Sequence, residues 1–313
     1  MLNKEKNFVS AVIYVHNDEN TIGNFLKAII HVLETNFEHS EIICVNDDSR
    51  DGSLKQIKAL ANEAKTTSLS VVNLSYYHGI ETAMHAGIDL SIGDFVFEFD
   101  NAVLDFEEKE ILNVYYKALE GYDIVSCAPD RALRLSSGLF YKVFNRFSND
   151  SGMMTTESFR ILSRRVINRI GMMNRTVPYR KAVYASTGLK TEVLEYKSVG
   201  DEASEARDPS RNRYRWKLAI DTLMMYTDVG YTFSIVMTLL MMLISVLMLV
   251  YTIVTYITSN PVAGWTTTVL FVSFAFMGLF GILTIVIKYL NLLMYFTLRK
   301  KDYTFENIEK LTK

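Results

Sequence analysis

Short apolar runs alternate with amphipathic stretches through the first hundred residues. Residues 8–15 (FVSAVIYV) are β-branched and aromatic and predict a buried strand. Ile22, Phe25, Leu26, Ile29 and Leu33 follow at i, i+3, i+4 spacing and predict a helix with one buried face. Residues 41–46 (EIICVN) predict a second strand, and the polar turn 47–53 leads into a helix carrying Leu54, Ile57, Leu60 and Ala64. A third strand over 69–74, a third helix over 79–90 and a fourth strand over 95–99 (FVFEF) complete the series. Strands alternating with helices at this spacing predict a parallel sheet covered by helices.

The pattern changes in the last quarter of the chain. Residues 231–257 contain no charged side chain, and neither do residues 266–287. A helix rises about 1.5 Å per residue and a bilayer core is roughly 30 Å thick, so each run is long enough to span. With a short link at 258–265, the two predict a membrane hairpin whose flanking segments lie on one side. Arg207, Arg211, Arg213, Arg215 and Lys217 precede the first run, Lys288, Arg299, Lys300 and Lys301 follow the second, and the link has no Lys or Arg. The positive-inside rule then places both termini in the cytoplasm, with the protein integral to a membrane. The expected domains are a cytoplasmic α/β domain over 1–205, a juxtamembrane amphipathic helix over 206–230, the hairpin over 231–290 and a cytoplasmic tail over 291–313.

A net charge of −2 with 22% charged residues hides this split and offers no basic bias toward nucleic acid. The amino terminus does not read as a signal peptide, because its apolar run is short and leads into His16-Asn17-Asp18-Glu19. Cys44 and Cys127 both fall in apolar runs and are expected to be buried free thiols. Residues 132–147 mix apolar and basic positions and predict an amphipathic helix, either on the membrane interface or against the sheet. Residues 197–212 are polar and predict a loop.

Ligands of parallel sheets bind beyond the carboxyl ends of the strands. Polar clusters stand at three such ends: 17–20, 47–51 and 100–105. The chain has no Walker-type Gly-Lys-Ser/Thr loop and no G-x-G-x-x-G. Acidic strand ends instead suit a nucleotide held through its base, its ribose and a divalent metal, Mg²⁺ or Mn²⁺, that bridges carboxylates to a diphosphate. None of the five histidines has metal-ligand spacing, and no nucleophilic triad is evident.

These residues resemble a known family. His16-Asn17-Asp18-Glu19 after Val15 is similar to a V-Y-N-E-E opening, and 45–53 (VNDDSRDGS) is similar to V-D-D-G-S-x-D-G-T. Gly79, Glu81, Ala83, Ala86, Gly87 and Gly93-Asp94 match an N-x-G-x-x-x-A-x-x-x-G segment that ends in G-D. Asp100 to Glu108 stands where D-A-D-L-Q-D-P-P-E would be, and Ser158-Phe159-Arg160-Ile161-Leu162 resembles a late S/D-F-R-L-L element. Arg213-Tyr214 and Lys217-Leu218 resemble the stretch before a first membrane helix. Together they resemble the GT-A-fold, family 2 glycosyltransferases, in the branch of dolichol-phosphate mannose synthase and the bacterial polyprenyl-phosphate glucosyltransferases with two C-terminal membrane helices. The departures are Asn46 and Asp48 in the D-D-G-S element, and Ala102 at the second acid of D-x-D.

The resemblance implies a Rossmann-like, mostly parallel GT-A domain before the hairpin. It implies inverting transfer of a sugar from a nucleoside-diphosphate sugar to a polyprenyl phosphate, and homo-oligomers in the membrane. On that basis Asn17, Glu19, Asp47, Asp48, Asp51 and Gly79 would bind the nucleotide sugar. Asp100 would ligate the metal with Asp105 as a second carboxylate, and Arg160 would hold phosphate or sugar. Arg211, Arg213 and Lys217 would take the acceptor phosphate. Two alternatives stand beside this reading: a glycolipid or lipid-linked oligosaccharide acceptor, and a catalytically silent nucleotide-sugar-binding homologue.

Overall fold

The computed structural model describes residues 4–130, 157–173, 179–186, 188–198 and 305–312, together with scattered helical positions between 220 and 293. The chain forms two units, one of 1–145, 150–218 and 300–313, the other of 146–149 and 219–299.

In the first unit the elements run β1 (Val9–Val15), α1 (Ile22–Asn36), β2 (Ser40–Asn46), α2 (Ser53–Leu60), β3 (Ser68–Leu74), α3 (Ile80–Leu90), β4 (Phe95–Phe99) and α4 (Lys109–Leu119). There follow β5 (Ile124–Pro129), β6 (Phe159–Ser163), α5 (Arg164–Met173), α6 (Arg180–Ser186), β7 (Thr191–Tyr196) and β8 (Phe305–Lys310). The strands form one sheet in the order β7-β5-β6-β4-β1-β2-β3-β8. The pairs β1·β2, β1·β4, β2·β3 and β5·β7 are parallel, and β3·β8, β4·β6 and β5·β6 are antiparallel. The expected α/β, mostly parallel architecture is present.

Alternation along β1 builds two cores. Val9, Ala11, Ile13 and Val15 face one way and pack with Phe25, Leu26 and Ile29 of α1, Ile57 of α2 and Ile111 and Val114 of α4. Val12 and Tyr14 face the other way, with Ala83, Met84 and Ala86 of α3. Both faces being covered explains why these strands read as unbroken apolar runs. The α3 contact is close: a Cβ on Gly87 would fall 2.4 Å from Val12 Cγ1 and 2.7 Å from Val45 Cγ2. Cys44 and Cys127 are buried free thiols, each pushed up to about 12 by burial.

The strand order reverses at β1, which has β2 on one side and β4 on the other. The crevice at such a switch point is the usual ligand position in an open α/β sheet. Strand β6 runs opposite to β4 and pairs Phe159 with Phe99 and Arg160 with Glu98, so the start of β6 lies at the carboxyl end of β4.

The tail expected over 291–313 contributes β8, which pairs with β3 at the sheet edge. An amide row crosses three strands here, from Asn46 Nδ2 to Asn73 Oδ1 at 2.9 Å and from Asn73 Nδ2 to Asn307 Oδ1 at 2.6 Å. Lys58 Nζ lies 2.6 Å from Glu309 Oε2. The amphipathic helix expected over 132–147, most of the loop at 197–212, Arg211, Arg213 and Lys217, and most of both apolar runs lie outside the described residues. Among the described residues no helix is long and apolar enough to cross a membrane.

Candidate active site

Two constructions meet the carboxyl ends of β1, β2 and β4. The first is made of loops held by carboxylates and amides. Asn17 and Asp48 both adopt a positive φ of 55°, which Asn and Asp tolerate better than other side chains. The Arg50 N–H donates to Asn17 Oδ1 at 2.9 Å and the Asn17 N–H to Ser49 Oγ at 3.1 Å. The Glu19 N–H donates to Asp51 Oδ2 at 3.0 Å, and Glu19 Oε2 accepts from the Gly52 N–H at 2.9 Å. Burial acts to raise the Asp51 carboxyl, but the Ser53 hydroxyl and the N–H groups of Glu19 and Ser53 outweigh it and lower it. Asn17, Glu19 and Asp51 thus lace the β1–α1 loop to the β2–α2 loop. Asp48 lies 3.4 Å from the exposed Arg50 guanidinium.

Asp47 is the hub of this construction. Its carboxyl is fully buried. Oδ1 accepts from the His78 N–H at 2.8 Å, and Oδ2 accepts from the Gly79 N–H at 2.8 Å and the Tyr14 hydroxyl at 3.1 Å. Gly79 has φ 87°, a conformation that turns its N–H toward Asp47 without the Cβ penalty other residues bear. Burial raises the Asp47 carboxyl, and the His78 and Gly79 N–H groups, the Tyr14 hydroxyl and the nearby His16 only partly offset it. Rings surround the hub: His16 lies 4.7 Å from Tyr77, and Tyr76 stacks on His78 at 3.9 Å between centroids.

The second construction is ionic. The β4·β6 register sets Glu98 opposite Arg160, and Arg160 Nη1 donates to Glu98 Oε2 at 2.6 Å. Its Nη2 donates to Asp100 Oδ2 at 2.8 Å and its Nε to Glu157 Oε2 at 2.9 Å. Arg180, at the start of α6, comes in from the other side. Its Nη2 donates to Asp100 Oδ1 at 2.7 Å, its Nε to Glu81 Oε2 at 3.0 Å, and its Nη1 lies 3.0 Å from Glu98 Oε2. The Tyr184 hydroxyl donates to Glu98 Oε1, and the Tyr184 ring lies 5.5 Å from the Arg160 guanidinium carbon. The side chains of Arg160 and Glu98 are 0% exposed and that of Arg180 is 2% exposed, whereas Asp100 retains 15%. Burial alone would raise the Asp100 carboxyl. Arg160, Arg180 and Lys181 overwhelm that and hold it well below the usual carboxylate range. Burial, then the charge of Glu98, push the Tyr184 hydroxyl well up, so it stays protonated as a donor.

Asp100 and Arg160 were expected at the site, and the structure brings them together. Arg160 is not free to take phosphate or sugar as expected, because every guanidinium nitrogen already meets a carboxylate in a sealed interior. Asp105 is elsewhere engaged, accepting from the Tyr196 hydroxyl at 2.9 Å. Arg180, Glu98, Glu81, Glu157 and Tyr184 were not singled out as site residues. Glu98 carried a signal: a lone acid in the apolar run FVFEF is buried only with a partner. Arg180 carried none, since it lies on a seven-residue helix.

A divalent ion needs carboxylate oxygens turned toward it. Both oxygens of Asp100 face guanidinium N–H groups, Ala102 is fully buried in the apolar core where a second acid was sought, and Asp105 binds Tyr196. Among the described residues no group of three or more His, Cys, Asp or Glu is arranged to hold a metal. These residues do not fit the ion expected at Asp100 and Asp105.

Comparison with known proteins places this architecture. Residues 10–171 match the model of glycosyl transferase family 2. An uncharacterized glycosyltransferase of Synechocystis is 31% identical over 58% of this chain, and the match spans 58% of that relative, less than two thirds of its length. The bactoprenol glucosyl transferase of Shigella phage SfV is 28% identical over 86% of this chain and 88% of its own. Glucosyl-3-phosphoglycerate synthase from Mycobacterium tuberculosis, solved with phosphoglyceric acid, superposes with a TM-score of 0.52 at 15% identity, over 71% of this chain and 81% of that one. That likeness extends to the GT-A-like fold. With a family match over half of its length and the parallel sheet that goes with it, the chain belongs to glycosyl transferase family 2.

Proposed function

We propose that this protein is a membrane-anchored glycosyltransferase that moves a sugar from a nucleoside-diphosphate sugar to a polyprenyl phosphate on the cytoplasmic face, with inversion. One observation carries the reading. A match over 86% of the chain to a bactoprenol glucosyl transferase must reach into the apolar region that begins at residue 231. Bactoprenol is a polyprenol, and its tail keeps the acceptor in a bilayer.

Two features of the second unit support the anchor. Large apolar side chains are exposed at the helical positions 233, 236, 240, 243 and 247, and again at 272, 276, 279, 283, 286, 290 and 293. Asp221, before the first run, pairs with Lys288, just after the second, a contact that a hairpin of two antiparallel helices would give. Arg211, Arg213 and Lys217 would meet the acceptor phosphate at the membrane surface.

In the reaction an acceptor phosphate oxygen attacks the anomeric carbon of the donor sugar. A new C–O bond forms on one face while the bond to the diphosphate breaks on the other, and its electron pair leaves with the nucleoside diphosphate. The acceptor phosphate is already ionised at neutral pH, so no general base is required. The loops laced by Asn17, Glu19, Asp47 and Asp51 shape the nucleotide end, with Gly79 and Asp48 on their rim. Asp100, kept ionised by the two arginines and 15% exposed at the strand end, sets a fixed negative charge beside the donor sugar. Arg160 acts through Asp100 as a positioning residue.

Purified full-length protein in detergent, given polyprenyl phosphate and a panel of sugar nucleotides, should release nucleoside diphosphate with at least one donor, and Asp100→Asn should remove that release. No release with any donor would sink the transfer reading and favour the silent homologue. Release that needs a glycolipid or lipid-linked oligosaccharide would replace the acceptor. A cysteine placed in 258–265 should be labelled from outside intact cells, against a low background from the two buried native thiols. Labelling only after permeabilisation would reverse the orientation.

A further inference from the structure

We infer that the Arg160–Arg180 pair stands where a divalent cation would serve Asp100, and that sugar transfer by this chain does not depend on such a cation. The inference rests on the transfer reading above and goes beyond it.

The positive charge at the carboxyl end of β4 is already built into the protein. One guanidinium meets each oxygen of Asp100, at 2.8 Å from Arg160 and 2.7 Å from Arg180. Neither guanidinium can swing away cheaply. Arg160 is pinned by Glu98 and Glu157 and lies fully buried. Arg180 is pinned by Glu81 through both its backbone N–H, at 2.9 Å, and its Nε, at 3.0 Å. Releasing Asp100 to a metal would leave two buried cations one carboxylate short and would bring a dication against both. Among the described residues no second ligand is arranged to draw the ion in. Residue 102 has no donor and is buried among apolar side chains, and Asp105 holds Tyr196. The four carboxylates of Glu81, Glu98, Asp100 and Glu157 are thus organised around two guanidiniums. At this strand end two arginines already supply the positive charge that faces Asp100, with their geometry set by strand register and by α6.

The test uses the full-length protein in detergent. Nucleoside diphosphate release is measured with polyprenyl phosphate and the active donor, after exhaustive EDTA treatment and again with added Mn²⁺ or Mg²⁺. Separately, Mn²⁺ is titrated into protein without nucleotide and protein-bound Mn²⁺ is read by electron paramagnetic resonance, for the wild type and Asp100→Asn. The expected result is release that changes by less than about threefold between EDTA and metal, with no Mn²⁺ held by the wild type in a way that Asp100→Asn removes. Release that falls by more than about threefold in EDTA and returns with Mn²⁺ or Mg²⁺ would overturn the inference while leaving the transfer reading intact. Mn²⁺ bound by the wild type and lost in Asp100→Asn would overturn it as well. No release under any condition would count against the transfer reading, and the resonance titration would then decide the metal question by itself.

Discussion

Asp47 and Asp100 end strands on either side of β1, and the two are held in opposite ways. Asp47 is fully buried and its carboxyl accepts from two backbone N–H groups of the turn before α3 and one tyrosine hydroxyl, with the His16 and His78 imidazoles nearby. Asp100 is nearly buried and receives two guanidiniums. Burial raises the first carboxyl, while arginine charge carries the second well below its ordinary range. The difference separates two uses of a buried acid. Asp47 fixes the shape of a loop, and its charge is a cost. Asp100 is a fixed charge, and the surrounding structure keeps it ionised.

The harshest way to break this contrast is Arg180→Met, which strips a partner from Glu81, Glu98 and Asp100 at once. Loss of one side of a buried ion network costs about 3–5 kcal/mol, and urea unfolding of the first unit should show it. A loss below about 1 kcal/mol would mean that the cluster is not sealed as described. Adding Glu98→Gln to this variant should recover part of the loss, because it removes one stranded charge.

Asp100→Asn and Asp47→Asn test the contrast by pH, each at a cost of about 1–3 kcal/mol. The Asp100 carboxyl is lowered on folding, so its stabilisation is fully present above its unfolded value of 3.8 and is lost as pH falls through the lower folded value. The penalty of Asp100→Asn should therefore be largest at neutral pH and shrink in acid. The Asp47 carboxyl is raised on folding, so its stabilisation is fully present below 3.8 and is lost as pH rises through the higher folded value. The penalty of Asp47→Asn should grow in acid and shrink toward neutral pH. Denaturant midpoints measured from pH 3 to 7 would show the two slopes, and slopes of the same sign would dissolve the comparison.

Gly79→Ala sharpens the Asp47 half alone. A Cβ at φ 87° strains the turn that aims an N–H at Asp47, at about 1–3 kcal/mol, visible as a lower thermal midpoint. Glu19→Gln is the mildest probe. The carboxylate that caps the Gly52 N–H is exposed, so stability should move by about 0.5 kcal/mol or less. A larger effect would mean that the loops depend on charge after all.

Much of the Asp47 side was legible in the chain, because it is built from neighbours and from motifs at strand ends. The runs 8–15, 41–46, 69–74 and 95–99 predicted β1 to β4 to within a residue at each end. Strand β8 was not legible. Its sequence FENIEK has mostly polar, exposed side chains, so it shows no buried face, and it is held at the edge by backbone pairing with β3 and by contacts such as Lys58–Glu309. The Asp100 side was half legible. Asp100 and Arg160 stood in recognisable elements, but the sense of Arg160 was inverted: it was expected to face a substrate and instead faces three acids.

Hydrophobic periodicity determined the helix-covered parallel sheet, because burying both faces of a strand demands unbroken apolar runs whatever the rest of the chain does. Charge asymmetry around the uncharged stretches likewise determined the expected orientation. What only the tertiary structure decided is which charges neutralise which. Arg180 meets Asp100 across 80 residues and Glu81 across 99. Pairing of that kind depends on the antiparallel return of β6 and on the placing of α6. A buried acid is compelled to find a partner, but its sequence does not say from where.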